Sequence, residues 1–287
     1  FLLTAPTHTA MQLMLDVAST FVSEVGLEFS TDPIPAKSKS KAVFIVGRRK
    51  DLKKPAPLLL SGQALPYVAH ATHLGHEFNE DGTMDMDSRI RRGTFIGNCL
   101  EIQEAFTFAS PPEVLGAVKL YCADLYGGML ARLDGVPATK VMNCWGVTVK
   151  DVWGLPRSTH SAFVPWLSSG HSSLREDLLS RWPKFFRSLL TGPSPEVAIL
   201  ARVAASDARS TTAANNRLIN TSTGLDARTA TGHSVRAALR QRESVLTDDQ
   251  MSAAAILGQA LEDRHHLHLL GECSEDLDSL ITNICEN

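Results

Sequence analysis

The stretch that decides the fold is "PLLLSGQALPYVAHATHLGHEF", residues 57–78. Two short apolar runs flank Ser61-Gly62-Gln63, and a small polar and glycine cluster between such runs is a β-hairpin signal. The segment from His70 onward predicts a further strand that would extend the same small sheet. Upstream, "KAVFIVG" (41–47) is rich in residues that favour strands and predicts another one. Residues 1–3 are interpreted as the tail of a buried strand.

Helical periodicity dominates the rest of the chain. In residues 7–25, Met11, Leu15, Ala18 and Val22 recur at helical spacing. Further helices are predicted over 85–106, 111–133, 138–149, 158–169, 173–190, 195–207, 211–221, 234–243, 248–270 and 274–285. The predicted fold class is therefore α+β, a small β-sheet with one helix followed by a mainly α-helical part. The predicted domains are 1–80, 81–190 and 191–287.

The composition is that of a globular protein, with 44% hydrophobic and 21% charged residues among 287. No apolar run approaches the roughly 20 residues that a membrane-spanning helix needs, so no membrane partner is expected. Five cysteines lack a repeated short spacing, which indicates reduced thiols rather than a disulfide framework. We therefore expect an intracellular protein, nuclear or cytoplasmic.

Positive charge is concentrated in one segment, although the formal net charge is −3. Residues 37–54 contain eight Lys or Arg against the single acidic residue Asp51, whereas acidic residues dominate beyond Glu243. Alternate side chains of a strand share a face, so Lys37, Lys39 and Lys41 would project together towards several phosphates of a nucleic acid. A solvated basic surface without a ligand is the alternative.

Two segments hold potential metal ligands. "DRHHLHLLGEC" (263–273) contains His265, His266, His268 and Cys273. A structural zinc site needs four convergent ligands at familiar spacings, and an exposed helix end is the favoured interpretation here. "HLGHEFNEDGTMDMDSR" (73–89) has neither a glycine nor a final glutamate at the positions that a calcium loop requires, so Asp85 and Asp87 are interpreted as partners of a helix N-terminus. No phosphate loop, nucleophile elbow or dinucleotide fingerprint is present, and no catalytic or metal-binding residue is assigned.

Five segments occur in a characteristic order: "FLLTAP" (1–6), "MQLMLDVASTF" (11–21), "VGLEF" (25–29), "KSKSKAVFIV" (37–46) and "HLGHEF" (73–78). "KLYCADLY" (119–126) follows, with Tyr121, Cys122, Leu125 and Tyr126 in a spaced pattern. This order resembles the C-terminal half of the reverse transcriptase of non-LTR (LINE-type) retrotransposons. The resemblance covers residues 1–190 and extends more weakly to the end.

The resemblance implies a partial palm and primer-grip region over 1–80, a thumb-like helical region over 81–190 and a helical C-terminal region over 191–287. It implies that the lysine segment lies near the phosphates of the incoming nucleotide, that "HLGH" (73–76) lies at the primer backbone, and that the helix after residue 84 touches the template–primer duplex. His73 stands where the family commonly has an aromatic residue. The implied nucleic-acid-binding residues are Lys37, Lys39, Lys41, His73, Gly75, His76, Arg89, Arg91 and Arg92.

The resemblance also implies that the catalytic aspartates precede Phe1. The intact family enzyme uses two Mg²⁺ ions held by those carboxylates, so this chain is expected to lack a cofactor and to be inactive alone as an RNA-directed DNA polymerase. Its expected partners are an RNA–DNA or RNA template–primer and the missing N-terminal part of the polymerase. The alternatives are a helical nucleic-acid-binding or protein-interaction module that retains the scaffold, and an unrelated helical protein.

Overall fold

The computed structural model describes residues 2–32, 34–35, 37–45, 53–83, 85–123, 128–243 and 247–286. The chain divides into two compact units, Phe1–Asp87 and Ser88–Asn287. In the described residues helices predominate and the strands are four, all antiparallel. The coarse α+β prediction is therefore confirmed.

The first unit opens with helix α1, His8–Glu24. The Thr7 hydroxyl accepts a hydrogen bond from the Ala10 N–H (3.2 Å), which satisfies one of the free amides at the helix start. On the inner side of α1 the Gln12 amide donates to the Leu59 carbonyl (2.9 Å) and accepts from the Leu59 N–H (2.8 Å). Gln12 thus occupies the backbone groups of Leu59 as a neighbouring strand would, and this pairing holds α1 against the first strand.

Two hairpins make up the strands of the first unit. Strands β1 (Leu59–Leu60) and β2 (Gln63–Ala64) form one, and β3 (His70–His73) and β4 (His76–Asn79) form the other. Their connecting residues, Ser61-Gly62 and Leu74-Gly75, all have positive φ, between 48° and 77°. Two positive φ angles in succession define the two-residue turn whose twist matches that of the flanking strands, and glycine takes the second position at no steric cost.

The predicted hairpin around Ser61 is confirmed, whereas the single extended sheet is wrong because the two hairpins form separate two-stranded sheets. Residues 2–5 form no strand, and Leu2 is half exposed. Described residues 41–45 form no strand either; their only bridge joins Ala42 to Tyr67. The unit therefore has a small core, in which Leu15, Ala42, Leu58, Leu60 and Leu65 are buried.

The second unit is helical. Its helices are α2 (Asp85–Ala105, which begins in the first unit), α3 (Pro111–Tyr121), α4 (Val136–Val152), α5 (Val164–Leu167), α6 (Leu174–Thr191), α7 (Pro195–Ser206), α8 (Thr211–Thr223), α9 (Gly232–Glu243), α10 (Asp248–Leu269) and α11 (Glu275–Glu286). Most predicted bounds agree within one or two residues. The prediction over 111–133 is wrong at residues 122–123 and 128–133, while 124–127 lie outside the described residues. The prediction over 158–169 is replaced by a 3₁₀ turn, Ser161–Phe163, followed by the short α5.

Helix α6 is the centre of the second unit and packs against α4, α7, α8 and α9. Trp145, Phe95 and Phe186 are fully buried in one apolar cluster. That cluster also contains Leu239 and Leu257, so a single core draws on residues from both sides of position 190. The close approach of α9 to α6 requires Gly232, where a Cβ atom would lie 2.8 Å from the Ser180 carbonyl oxygen.

All five cysteines are free, and four of them are buried, as the sequence predicts. Burial raises the pKa of the Cys99 thiol to about 12. A thiol with so high a pKa is almost wholly protonated at neutral pH and is a poor nucleophile. Cys99, Cys122 and Cys144 are all buried in the apolar core of the second unit, where they pack as small side chains.

Candidate nucleic-acid interface

The predicted lysine segment lies on the surface of the first unit. Lys37, Lys39 and Lys41 are exposed, while the intervening Ser38 is buried. The Ser38 hydroxyl donates to the Ser40 carbonyl (2.5 Å) and accepts from the Asp32 N–H. These bonds fix a bent backbone rather than a strand, yet the alternation of buried and exposed side chains that was predicted for a strand is present.

The three lysines form no ion pair or hydrogen bond through their side chains with any part of the chain that the structure describes. The neighbouring Lys54 differs, because its Nζ lies 3.6 Å from a Glu80 carboxylate oxygen. Arg48, Arg49 and Lys50, which complete the basic run, lie outside the described residues. Three ammonium groups within five residues, none of them paired within the described residues, make a local positive surface that attracts phosphates.

The lysine segment is held beside the chain that leads into β3. The Ala42 N–H donates to the Pro66 carbonyl (3.1 Å), and the Val68 N–H donates to the Ala42 carbonyl (2.9 Å). The rings of Phe44 and Tyr67 meet edge to face with centroids 6.4 Å apart. Lys41 therefore directly precedes Ala42, the residue whose backbone bonds to Pro66 and Val68. Val68 lies two residues before His70, where β3 begins.

At the tip of the second hairpin the backbone is accessible. Leu74 and Gly75 are exposed and His73 is partly exposed, so the turn presents backbone and one imidazole to solvent. The Thr72 hydroxyl donates to the Glu77 carboxylate across the strands. The segment from His70 onward, predicted as one further strand, thus forms a hairpin of its own. Its contact with a primer stays a prediction.

His76 has a different environment from the one the resemblance implies. Its side chain is buried, and its Nδ1 lies 3.5 Å from an Asp87 carboxylate oxygen, where Asp87 is buried too. The other Asp87 oxygen accepts from the Glu77 N–H (3.3 Å). The imidazole therefore anchors strand β4 to the start of α2, and Asp87, interpreted from sequence as a helix-dipole partner only, is the acidic half of this anchor.

The three arginines of α2 belong to the second unit and do not share one environment. Arg89 and Arg92 are exposed, whereas Arg91 is half-buried and engaged by other residues. Arg89 and Arg92 thus have the accessibility that a phosphate contact requires.

No three His, Cys, Asp or Glu side chains converge as metal ligands in the described ranges of the chain. His265 and His268 instead line a cavity of about 480 Å³ with Phe106, Phe108 and Trp153. Arg264, also in its wall, donates to the carbonyl of Trp153, the residue that follows α4. The part of the chain that the structure describes thus holds no carboxylate cluster of the kind that the Mg²⁺ pair of the intact family enzyme requires.

No known protein family, no curated protein and no solved structure matches this chain. Among the helices that the structure describes, none combines the length and apolar character that crossing a bilayer demands.

Proposed function

We propose that the chain is the C-terminal part of a reverse transcriptase of the non-LTR retrotransposon type, and that its first unit contacts the phosphate backbone of a template–primer. The observation that carries the proposal is the set of three exposed ammonium groups, those of Lys37, Lys39 and Lys41, which have no ion pair among the described residues. The pairing of Ala42 with the segment that enters β3 supports it, because it couples the lysines to the hairpin within one unit.

The lysine segment is proposed to attract phosphates through its own local charge and not through the net charge of the first unit. Residues 1–87 contain eight Lys or Arg and ten Asp or Glu, so the first unit as a whole is not basic. Phosphate contacts depend on charges within about a Debye length, which is about 10 Å at 0.1 M salt. A segment with three lysines that have no ion pair among the described residues can therefore bind a polyanion although the unit has no positive net charge.

We further propose that the first unit packs against the N-terminal part of the polymerase, and an apolar face of α1 supports this. Leu13, Val17 and Phe21 lie at i, i+4 and i+8 and are 63–65% exposed. An aliphatic and aromatic stripe of this kind is typical of a surface that is covered in an assembly. The catalytic carboxylates would belong to that covering part, and this chain would contribute contacts rather than chemistry.

The test is the salt dependence of binding to a fluorescein-labelled RNA–DNA hybrid with a recessed primer, measured by anisotropy. Each phosphate contact contributes about 0.7–0.9 to the slope of log K against log salt. The double variant Lys39→Gln/Lys41→Gln should make the fall of log K with log salt less steep, by about 0.7–0.9 for each lysine removed. The matched control is Lys140→Gln/Lys184→Gln, which removes the same charge from exposed positions of the second unit and should leave the slope unchanged.

Equal slopes for the two double variants would contradict the assignment of the lysine segment. A separate primer-extension assay with Mg²⁺ addresses ancestry. The chain alone is expected to incorporate no nucleotides, and robust incorporation would contradict the proposal that the catalytic aspartates lie upstream.

A further inference from the structure

A cavity in the second unit has aromatic side chains in its wall. Its volume is about 480 Å³, which lies within the range of small-molecule sites. The wall includes the rings of Phe106 and Phe108, in the loop after α2, and that of Trp153, which follows α4. Phe108 is 86% exposed and Phe106 is 41% exposed, so both rings are accessible from solvent. The face of an aromatic ring carries partial negative charge and attracts cations.

Hydrogen bonds hold the backbone and one ring of this wall in place. The Trp153 Nε1–H donates to the Leu167 carbonyl (2.8 Å), which fixes one edge of the indole. In the loop the Phe106 N–H donates to the Ile102 carbonyl (3.0 Å), and the Ala109 N–H donates to the Phe106 carbonyl (3.1 Å). A wall that is ordered in advance loses little conformational entropy when a ligand enters.

Two carboxylates give the cavity a negative surround. Asp151, in the last turn of α4, lines the cavity, is exposed and has no ion pair among the described residues. Glu113 lies between Pro111 and Val114, which both line the cavity. Hydrogen bonds from Ser110 lower the pKa of Glu113, so this carboxylate is ionised at neutral pH.

The positive charge in the wall is already offset. Arg264 is the one Lys or Arg among the described residues that line the cavity. Its guanidinium donates to the Trp153 carbonyl and lies 3.5 Å from an Asp278 carboxylate oxygen. His265 and His268 also line the cavity, and histidine side chains are mostly neutral above about pH 7. The negative charge of the two carboxylates is therefore not cancelled by the wall.

We propose that this cavity binds a quaternary ammonium group. The methyl groups of such a cation contact the aromatic rings, and its charge is attracted by the ring faces and by Asp151. A primary ammonium is more strongly hydrated and loses more on entering an aromatic wall, while an anionic ligand is repelled by the carboxylates. Two sources carry a quaternary ammonium group, namely a free small molecule such as choline and the trimethylated lysine of a protein. The site lies in the second unit and is independent of the proposed reverse-transcriptase origin.

The test is a titration of choline with the full chain at about pH 8, where histidine side chains are neutral, followed by NMR of the choline methyl signal. Contact with aromatic faces should shift that signal upfield. The matched ligand control is the neutral carbon analogue of choline, in which a tert-butyl group replaces the trimethylammonium group. Choline should bind at least about fivefold more tightly than this analogue and than ethanolamine, its primary ammonium counterpart.

Two variants test the ring and the carboxylate separately. Phe108→Leu keeps an apolar side chain but removes an aromatic face, and Asp151→Asn removes a charge. Each should weaken choline binding about two- to fivefold, and Asp151→Asn should leave binding of the neutral analogue unchanged. Both positions are exposed, so the variants should fold, which circular dichroism verifies. The matched controls should bind choline as the wild type does; they are Phe21→Leu in the first unit and Asp249→Asn, about 24 Å along α10 from His265.

A glycine-flanked peptide with one trimethylated lysine separates the two sources of the ligand. Tighter binding of the peptide than of choline assigns the cavity to a protein side chain, tighter binding of choline assigns it to the free small molecule, and either result supports the site. Equal affinity for choline and its neutral analogue would overturn the proposal, because the cavity would then recognise apolar shape alone. Ethanolamine binding as tight as that of choline, wild-type affinity in both variants, or no binding of either quaternary ligand would overturn it as well.

Discussion

Replacing Asn215 with alanine should destabilise the second unit more than any single surface change. Asn215 is completely buried in α8. Its amide nitrogen donates to the Ala131 carbonyl (3.1 Å), and its amide oxygen accepts from the Leu133 N–H (2.8 Å). Both backbone groups belong to buried residues more than 80 positions away in sequence. One side chain therefore closes the segment before α4 onto α8.

The magnitude follows from the two backbone groups that alanine would leave without a partner. A buried donor or acceptor that loses its hydrogen bond costs about 1–3 kcal/mol, so the expected loss of unfolding free energy is about 2–6 kcal/mol. For a unit of this size, in which 1 kcal/mol shifts Tm by about 2–4 °C, that lowers Tm by roughly 4–24 °C. Asn215→Asp should cost at least as much, because its second oxygen would face the Ala131 carbonyl instead of donating to it.

The assay is urea denaturation followed by tryptophan fluorescence. All four tryptophans lie in Ser88–Asn287, so the signal reports on the second unit. Asn220→Ala, an exposed position on the same helix, is the matched control and should stay within about 0.5 kcal/mol of the wild type. An Asn215→Ala variant as stable as the Asn220→Ala variant would refute the role assigned to the two hydrogen bonds.

Two further predictions concern packing and acid stability. Gly258→Ala would place a Cβ atom 2.2 Å from the Trp166 ring and should cost about 1–3 kcal/mol in urea denaturation, whereas Gly93→Ala, with open space around it, should be neutral or mildly stabilising. Hydrogen bonds from Arg132 lower the pKa of Asp134. The stabilisation from this pair is therefore complete above the unfolded-state pKa of about 4, and it is lost as the pH falls through the lower folded-state pKa. In an NMR titration Arg132→Gln should return the Asp134 pKa towards its usual value, and an unchanged pKa would contradict the pairing.

Helix positions were predictable from the sequence because their signals are local. Ser173 with Glu176, and Thr247 with Gln250, form capping boxes at the starts of α6 and α10, where the apolar periodicity begins. The break at Gly224 is equally local, since its φ of 76° is a conformation that glycine adopts freely. Such features need no distant partner to act.

Strands were less predictable because they require a partner that composition does not reveal. "KAVFIVG" has the residues of a strand, but the described part, residues 41–45, meets other backbone only through the bridge from Ala42 to Tyr67. "LLLSGQAL" pairs as predicted because its own turn brings the two halves together. β-propensity describes how well a side chain fits a sheet, and it becomes structure only where hydrogen-bonding neighbours exist.

In the candidate interface, too, the environment of a single residue depends on a distant partner that the local sequence does not reveal. "HLGH" suggests two equivalent histidines, and the two-residue turn makes His73 and His76 direct cross-strand partners, yet their exposure differs. His73 stays accessible, while His76 turns inward to Asp87, eleven positions later and on another element. If the hairpin grips a primer, the contact must therefore come from His73 and from the exposed backbone at Leu74 and Gly75. His76 and Asp87 then act as positioning residues that hold this backbone in place.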